Sequence, residues 1–204
     1  MASLSAELEE QFLGEDGPET FSLGDVLALA GERTFGFLFV LLSIPSALPI
    51  PAPGYSVPFG ILLAWLAVQM AVGQDQPWLP KSWRSRAIGR ERLSGLINAA
   101  VPWLRKLEIL SRPRLIPICR SFWGRLILGG GVTLMGLSMI APIPGTNTLP
   151  AMGIFVVGLG LVDDDGAIAL LGATGGIVVT VSIWTAIIWG GSSLIDLIKG
   201  GLGS

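Results

Sequence analysis

Proline interrupts the apolar part of this chain at two places, and no continuous helix can pass through either of them. The first interruption is LPIPAPGYSVPFG, residues 48–60, and the second is APIPGTNTLPAMG, residues 141–153. Proline lacks an amide hydrogen and clashes with the preceding turn, so one helix must end and another begin at each place. The two stretches align with a spacing of 91 to 93 residues. The sequence therefore predicts a duplicated unit of about 90 residues that contains an apolar helical hairpin.

The composition is that of a membrane protein. Hydrophobic residues make up 51% of the 204 residues and charged residues only 14%, with a mean hydropathy of +0.68. No Asp, Glu, Lys or Arg occurs in residues 34–74, 126–162 or 166–195. We therefore predict an all-α integral membrane protein.

The hairpin arms are too short to cross a bilayer. A helix over residues 34–44 would rise roughly 16 Å, against a hydrocarbon core of about 30 Å. The two hairpins, 34–73 and 126–162, are therefore predicted to be re-entrant, which means that they enter the membrane and turn back. By contrast, residues 167–189 run for 23 residues without charge or proline and predict a transmembrane helix.

The charge pattern divides the chain into three regions. An acidic tail, residues 1–21, precedes a first repeat, 22–110, and a second repeat, 111–204. Residues 81–125 carry eleven of the 13 basic residues against Glu91 and Glu108, a net charge of +9. This basic region, 81–125, which includes a basic amphipathic linker over 81–110, is predicted to lie on the cytoplasmic side of a bacterial inner membrane, against anionic headgroups. Orientation in the membrane explains this charge, so no nucleic-acid partner is predicted.

The hairpin loops are the first candidate site. Ser56 and Thr148 each stand two residues before a proline and are predicted to cap the returning helices, so that two helix N-termini face inward. Such termini favour an anionic or carbonyl-bearing group. In the alternative interpretation, the same residues only satisfy the backbone of a tight turn. The candidate loop residues are Gly54, Tyr55, Ser56, Gly145, Thr146, Asn147 and Thr148.

Two arginines are the second candidate site. Arg33 and Arg125 directly precede the two predicted hairpins and are 92 residues apart. Each is predicted to contact an anionic headgroup or substrate at the mouth of its hairpin. In the alternative, each side chain only extends to the polar surface of the membrane.

Catalytic and metal chemistry have little support. The chain has no histidine and a single cysteine, Cys119, which removes the usual metal ligands and bases. Asp163, Asp164 and Asp165 predict a solvated turn; the alternative is part of a magnesium and diphosphate motif. We predict no metal, no cofactor and no enzymatic activity.

The motifs LPIPAPGYSVPFGILL (48–63), GQDQPWLP (73–80) and APIPGTNTLPAMGIFVVGLGLVDDDG (141–166) resemble the exopolysaccharide synthesis ExoD family of bacterial membrane proteins. The resemblance covers roughly residues 20–195. It implies an inner-membrane protein linked to exopolysaccharide production and envelope physiology. It brings no catalytic residues with it.

Three functions are weighed against these observations. The first is binding or translocation of a lipid-linked or small anionic molecule, such as an anionic lipid or a lipid-linked glycan. The alternative is a scaffold of a polysaccharide synthesis complex. The third hypothesis, an enzyme acting on a polyprenyl diphosphate, is supported by residues 163–165 alone. The relative orientation of the two repeats stays open. If residues 93–109 cross the membrane, the repeats are inverted, as analogy with transporters favours, whereas hydropathy favours a surface helix there. Thin hairpins suggest a partner, and we expect a homodimer.

Overall fold

The computed structural model of the chain describes residues 20–22, 33–47, 56–80, 87–89, 113–141 and 146–201, with backbone alone for the first and fourth ranges and for 191–201. Helices dominate this part: α1 (Thr34–Ala47), α2 (Ser56–Ala71), α3 (Ile116–Arg120), α4 (Phe122–Ser138), α5 (Thr148–Val162) and α6 (Gly166–Gly201). Two three-residue strands, β1 (Thr20–Ser22) and β2 (Ala87–Gly89), pair in antiparallel fashion. The all-α prediction is confirmed for the apolar hairpins, and the strand pair is an addition that three-residue segments are too short to predict.

Proline affects α1 less than predicted. The helix continues through Pro45 and ends at Ala47, whereas the sequence predicted an end at Ile44. A proline near the end of a helix removes one hydrogen bond of the last turn and leaves the preceding turns intact. The chain between α1 and α2, and the residues 142–145 before α5, lie outside the described residues.

The last helix includes the predicted transmembrane segment and extends beyond it. Buried Asp165 begins α6, because its Oδ1 accepts hydrogen bonds from the amides of Ala167 at 3.0 Å and Ile168 at 3.2 Å. This is the carboxylate capping that helix N-termini prefer. Within the part of the chain that the structure describes, Gly166–Gly190 is the one helical segment long and apolar enough to cross a membrane, with a mean hydropathy of 2.0.

Each hairpin arm packs mainly on an arm of the other hairpin. Helix α1 lies against α5, α2 lies against α4, and α6 covers α5 and part of α4. The shared core is apolar and closely packed. Its largest fully buried side chains are Phe39, Leu63, Leu66, Met70, Leu128, Val132, Met135, Met139 and Ile154.

Small residues bring both helix pairs into backbone contact. A Cβ added to Gly36 in α1 would lie 2.8 Å from the carbonyl oxygen of Gly158 in α5, and one added to Gly158 would lie 2.8 Å from that of Gly36. In the other pair, a Cβ added to Gly129 would lie 2.7 Å from the carbonyl oxygen of Ala67. Neither contact has room for a larger side chain, so the helix spacing depends on these residues.

Alanine at Gly36 should lower the thermal stability of the protein. The added methyl group must push α1 and α5 apart, and overpacking of this kind costs about 1–3 kcal/mol. Gly130→Ala in α4 is the matched control, because a Cβ at that position meets nothing within 4 Å. Thermal unfolding of the detergent-purified variants should give a lower melting temperature for Gly36→Ala and an unchanged or higher one for Gly130→Ala. Equal melting temperatures would contradict the backbone contact.

Candidate functional site

A cavity of about 580 Å³ opens at the end of the molecule where α1 and α4 begin and where α2 and α5 end. Five of the residues that line the cavity are charged, and several others are apolar. The charged residues are Arg33, Arg120, Arg125, Asp75 and Asp164. The apolar residues include Phe35, Met70 and Leu161. We call this site the three-arginine cavity.

Two of these arginines are the ones that sequence spacing singled out. Arg33 directly precedes α1 and Arg125 lies in the first turn of α4, and both line the same cavity. The two helices therefore begin at one end of the molecule, and the hairpins run parallel to each other. The inverted arrangement that transporter analogy favoured is not present in the described hairpins, because inversion would place the two arginines at opposite ends.

Two carboxylates, each following the second arm of a hairpin, pair with arginines in the cavity. Arg120 donates from Nε to Asp164 Oδ1 at 3.2 Å and from Nη2 to Oδ2 at 2.8 Å. Arg125 donates from Nη1 to Asp75 Oδ1 at 2.8 Å and from Nη2 to the carbonyl oxygen of Gln74 at 3.0 Å. The pair of Arg125 with Asp75 therefore joins the two hairpins by charge, whereas Arg120 and Asp164 both belong to the second repeat.

Neither of these ion pairs was predicted from the sequence. Asp75 and Asp164 lie in the polar turns GQDQP and VDDDG, whose composition indicated only solvated turns. The available signal was their position: each follows the second arm of a hairpin, just as Arg33 and Arg125 mark the first arms. Arg120 was one of many basic residues, and nothing in the pattern distinguished it.

The turn that carries Asp75 is held in place by a buried amide. Gln69 in α2 accepts a hydrogen bond from the amide of Trp78 through Oε1 at 2.6 Å and donates from Nε2 to the carbonyl oxygen of Trp78 at 3.3 Å. Gly73 begins the turn with a φ of +88°, which favours glycine. These contacts keep Asp75 within reach of Arg125.

Cys119 lies in the buried part of the cavity lining. Its Sγ is 3.7 Å from the carbonyl oxygen of Gly160. Burial raises the pKa of the Cys119 thiol to about 12, the charges of Asp164 and Asp165 add to that increase, and Arg120 opposes it. The thiol is therefore protonated at neutral pH and is a poor nucleophile.

The candidate loop residues lie at the other end of the helices. Gly54, Tyr55 and Gly145 fall outside the described residues. Ser56 is the buried first residue of α2, and its predicted capping role stays a prediction. The structure does not bring the loop residues together with the arginines.

The predicted cap of α5 is wrong. Thr148 lies inside the first turn of α5, and Asn147 occupies the capping position without a side-chain capping bond. Thr146 donates to Asn147 Oδ1 at 3.3 Å, which is a local turn contact of the kind the alternative interpretation expected.

Two of the three aspartates at 163–165 make contacts that stabilise the fold. Asp164 pairs with Arg120, and Asp165 caps α6. Among the described residues, no group of three or more His, Cys, Asp or Glu side chains is arranged to hold a metal ion.

Comparison with known proteins gives two kinds of similarity. The sequence profile of a family described as "Exopolysaccharide synthesis, ExoD" matches residues 4–185. An uncharacterized Synechocystis sp. protein, slr1875, is 46% identical over 202 residues, which cover 98% of this chain and 95% of that protein. Protein ExoD of Rhizobium meliloti is 32% identical over 152 residues, which cover 72% of this chain and 62% of that protein. No solved structure is significantly similar.

Cys119 should resist alkylation in the native protein. A maleimide reacts with the thiolate, and a thiol with a pKa of about 12 has almost none at pH 7.5. We expect no modification by mass spectrometry in mild detergent and complete modification after unfolding. A variant with Cys119→Ala and Gln76→Cys is the positive control, because Gln76 is exposed. Labelling of native Cys119 as fast as the control would contradict its burial.

Proposed function

The chain belongs to the ExoD family of exopolysaccharide synthesis proteins, and from that premise we propose that it supports exopolysaccharide production by binding or moving an anionic molecule at the three-arginine cavity. We also propose that the chain is a multi-pass protein of a bacterial inner membrane and that it has no catalytic role. Lipid-linked glycans and anionic lipids are the classes of molecule that fit such a site.

The outward-facing side chains of the described helices support a membrane location. Helix α2 exposes an apolar stripe at helical spacing, formed by Ile61, Trp65, Val68 and Val72. Helices α4 and α6 expose further large apolar side chains, among them Ile127, Leu134, Leu137, Leu171, Val178 and Val181. Soluble monomers rarely leave apolar faces of this extent in water, whereas lipid tails solvate them well.

Hydroxyl groups on the outer face of α6 donate hydrogen bonds to carbonyl groups of their own helix, an arrangement that suits a helix in lipid. The hydroxyls of Thr174, Ser182 and Thr185 are in exposed residues, yet each donates to the carbonyl four residues earlier, at 2.7 to 2.8 Å. A hydroxyl in a helix without water has this carbonyl as its nearest acceptor. This pattern supports α6 as a membrane-spanning helix.

Helix lengths support re-entrant hairpins. Helices α1, α2, α4 and α5 contain 14 to 17 residues and rise roughly 21 to 26 Å, which is less than the hydrocarbon thickness of about 30 Å. Their backbone contacts also support a duplicated unit. Gly36 and Gly129 are 93 residues apart, and Ala67 and Gly158 are 91 apart, within the spacing of the two proline motifs.

The cavity carries the functional proposal. Three guanidinium groups meet two carboxylates beside an apolar surface, at one end of a helical body with an apolar exterior. Arg120 and Arg125 belong to the basic region 81–125, which the positive-inside rule assigns to the cytoplasm. The cavity would then face the cytoplasmic leaflet, whose anionic headgroups are candidate ligands.

A scaffold role is the second candidate. The linker 81–110 is strongly basic, and it could hold other synthesis proteins through charge. The exposed stripe of α2 offers a surface for a homodimer in either case. The two functions differ in which charges matter: the cavity arginines for binding, and the linker for scaffolding.

Complementation of a deletion strain tests the proposal. Arg33→Gln and Arg125→Gln should each reduce secreted exopolysaccharide at least about fivefold, because each removes a charge-assisted hydrogen bond to the anion. Membrane-fraction immunoblots must show wild-type amounts of each variant. Total secreted carbohydrate is the measured quantity.

A matched variant in the linker separates the two functions. Replacing Arg90 and Arg92 with glutamine removes two charges from the linker 81–110. Loss of exopolysaccharide in this variant, with full production in both cavity variants, would replace the binding proposal with the scaffold.

A further inference from the structure

Two of the three cavity arginines differ in how firmly they are paired. Arg120 makes two bonds to Asp164, whose side chain is only 19% exposed. Arg125 makes one bond to Asp75, whose side chain is 93% exposed, while the Arg125 side chain itself is 16% exposed. A largely buried guanidinium is thus neutralised by a carboxylate that is almost fully in water. An exposed partner of this kind contributes little and is readily displaced.

The third arginine has no carboxylate partner among the described residues. Arg33 lines the same cavity, is half-buried, and forms none of the ion pairs found in the described part of the chain. Displacement of Asp75 would therefore leave two guanidinium groups, those of Arg33 and Arg125, in the lining of one cavity without a carboxylate partner among the described residues. Arg125 also keeps its bond to the carbonyl of Gln74, which holds the guanidinium in place.

We propose that the three-arginine cavity binds a phosphate group between Arg33 and Arg125, and that Asp75 is the competing anion which this phosphate displaces. The inference rests on the proposed function, in which the cavity binds an anion, and it names the chemical class of that anion. Planar guanidinium groups match phosphate oxygens in paired hydrogen bonds.

Asp75 makes the site selective for phosphate over carboxylate. A tethered carboxylate already occupies Arg125 at the high effective concentration of an intramolecular group. A free carboxylate carries the same charge and gains nothing by replacing it. A phosphate monoester carries close to two negative charges and three terminal oxygens, so it can bind both arginines at once.

The rest of the cavity fits a phosphate that carries an apolar substituent. A volume of about 580 Å³ exceeds the needs of a phosphate ion and lies within the range of small-molecule sites. Phe35, Met70 and Leu161 offer apolar surface beside the arginines. The phosphate could belong to a lipid headgroup or be free in solution, and the experiment below distinguishes these sources.

Calorimetric titration of the full-length protein in maltoside micelles with inorganic phosphate tests the proposal. Arg33→Gln and Arg125→Gln should each weaken binding at least about tenfold. Asp75→Asn should tighten it up to about fivefold, because the competing carboxylate is lost. Asp163→Asn is the matched control, since it removes the same charge from a residue outside the cavity lining and should leave the affinity within about twofold of wild type.

The source of the phosphate follows from competition. Mixed micelles with phosphatidic acid present a phosphomonoester headgroup, and phosphatidylcholine micelles are the control. Reduced phosphate affinity with phosphatidic acid alone supports a headgroup ligand, and unchanged affinity supports free phosphate; either result supports the phosphate class.

Four results would overturn the proposal: no binding of phosphate by the wild-type protein, wild-type affinity in both arginine variants, equal affinity of Asp75→Asn and Asp163→Asn, or acetate binding as tight as phosphate. Thermal unfolding identifies a misfolded variant. If one arginine variant is misfolded, the phosphate affinity of the other variant decides the test. If phosphate does not bind while both arginine variants still lose exopolysaccharide in cells, the ligand class is wrong and the proposed function stands. If the arginine variants keep full production, the proposed function fails as well.

Discussion

The backbone contacts of Gly36 with Gly158 and of Gly129 with Ala67 are the constraint on which the rest of the structure depends. Helices without large side chains between them can approach closely and gain dispersion contacts along their length. Here the contacts join α1 to α5 and α2 to α4, so each hairpin is completed by the other. A hairpin of two short arms would be weak alone, and the exchange of partners gives one shared core.

This pairing also determines where the charges meet. Because both hairpins open towards the same end, the arginines that begin the first arms and the aspartates that follow the second arms must share one small region. Arginine is costly to bury without an anion, and the two observed ion pairs neutralise two of the three guanidinium groups. The remaining positive charge lies beside an apolar surface, and this combination is the reason for proposing an amphiphilic anion as the ligand.

Sequence reasoning located the helices but could not pair them. Proline and glycine mark helix ends locally, which is why the predicted start at Thr34 and the predicted end at Val162 match α1 and α5. Helices that are apolar on all sides carry no stripe that identifies the inner face, so the pattern could not show that α1 meets α5. The spacing of Arg33 and Arg125 indicated a shared role, whereas their common cavity and the pairing of Arg125 with Asp75 depend on tertiary packing.

The parallel arrangement of the two hairpins is the central claim, and side-specific labelling in the membrane tests it most directly. In a Cys119→Ala background, single cysteines at Gln76 and at Asp163 mark the turns that follow α2 and α5. A membrane-impermeant maleimide is applied to intact cells and to inverted membrane vesicles. We expect both cysteines to react from the same face of the membrane, the cytoplasmic one. Reaction from opposite faces would contradict it and would separate the two arginines that the cavity requires.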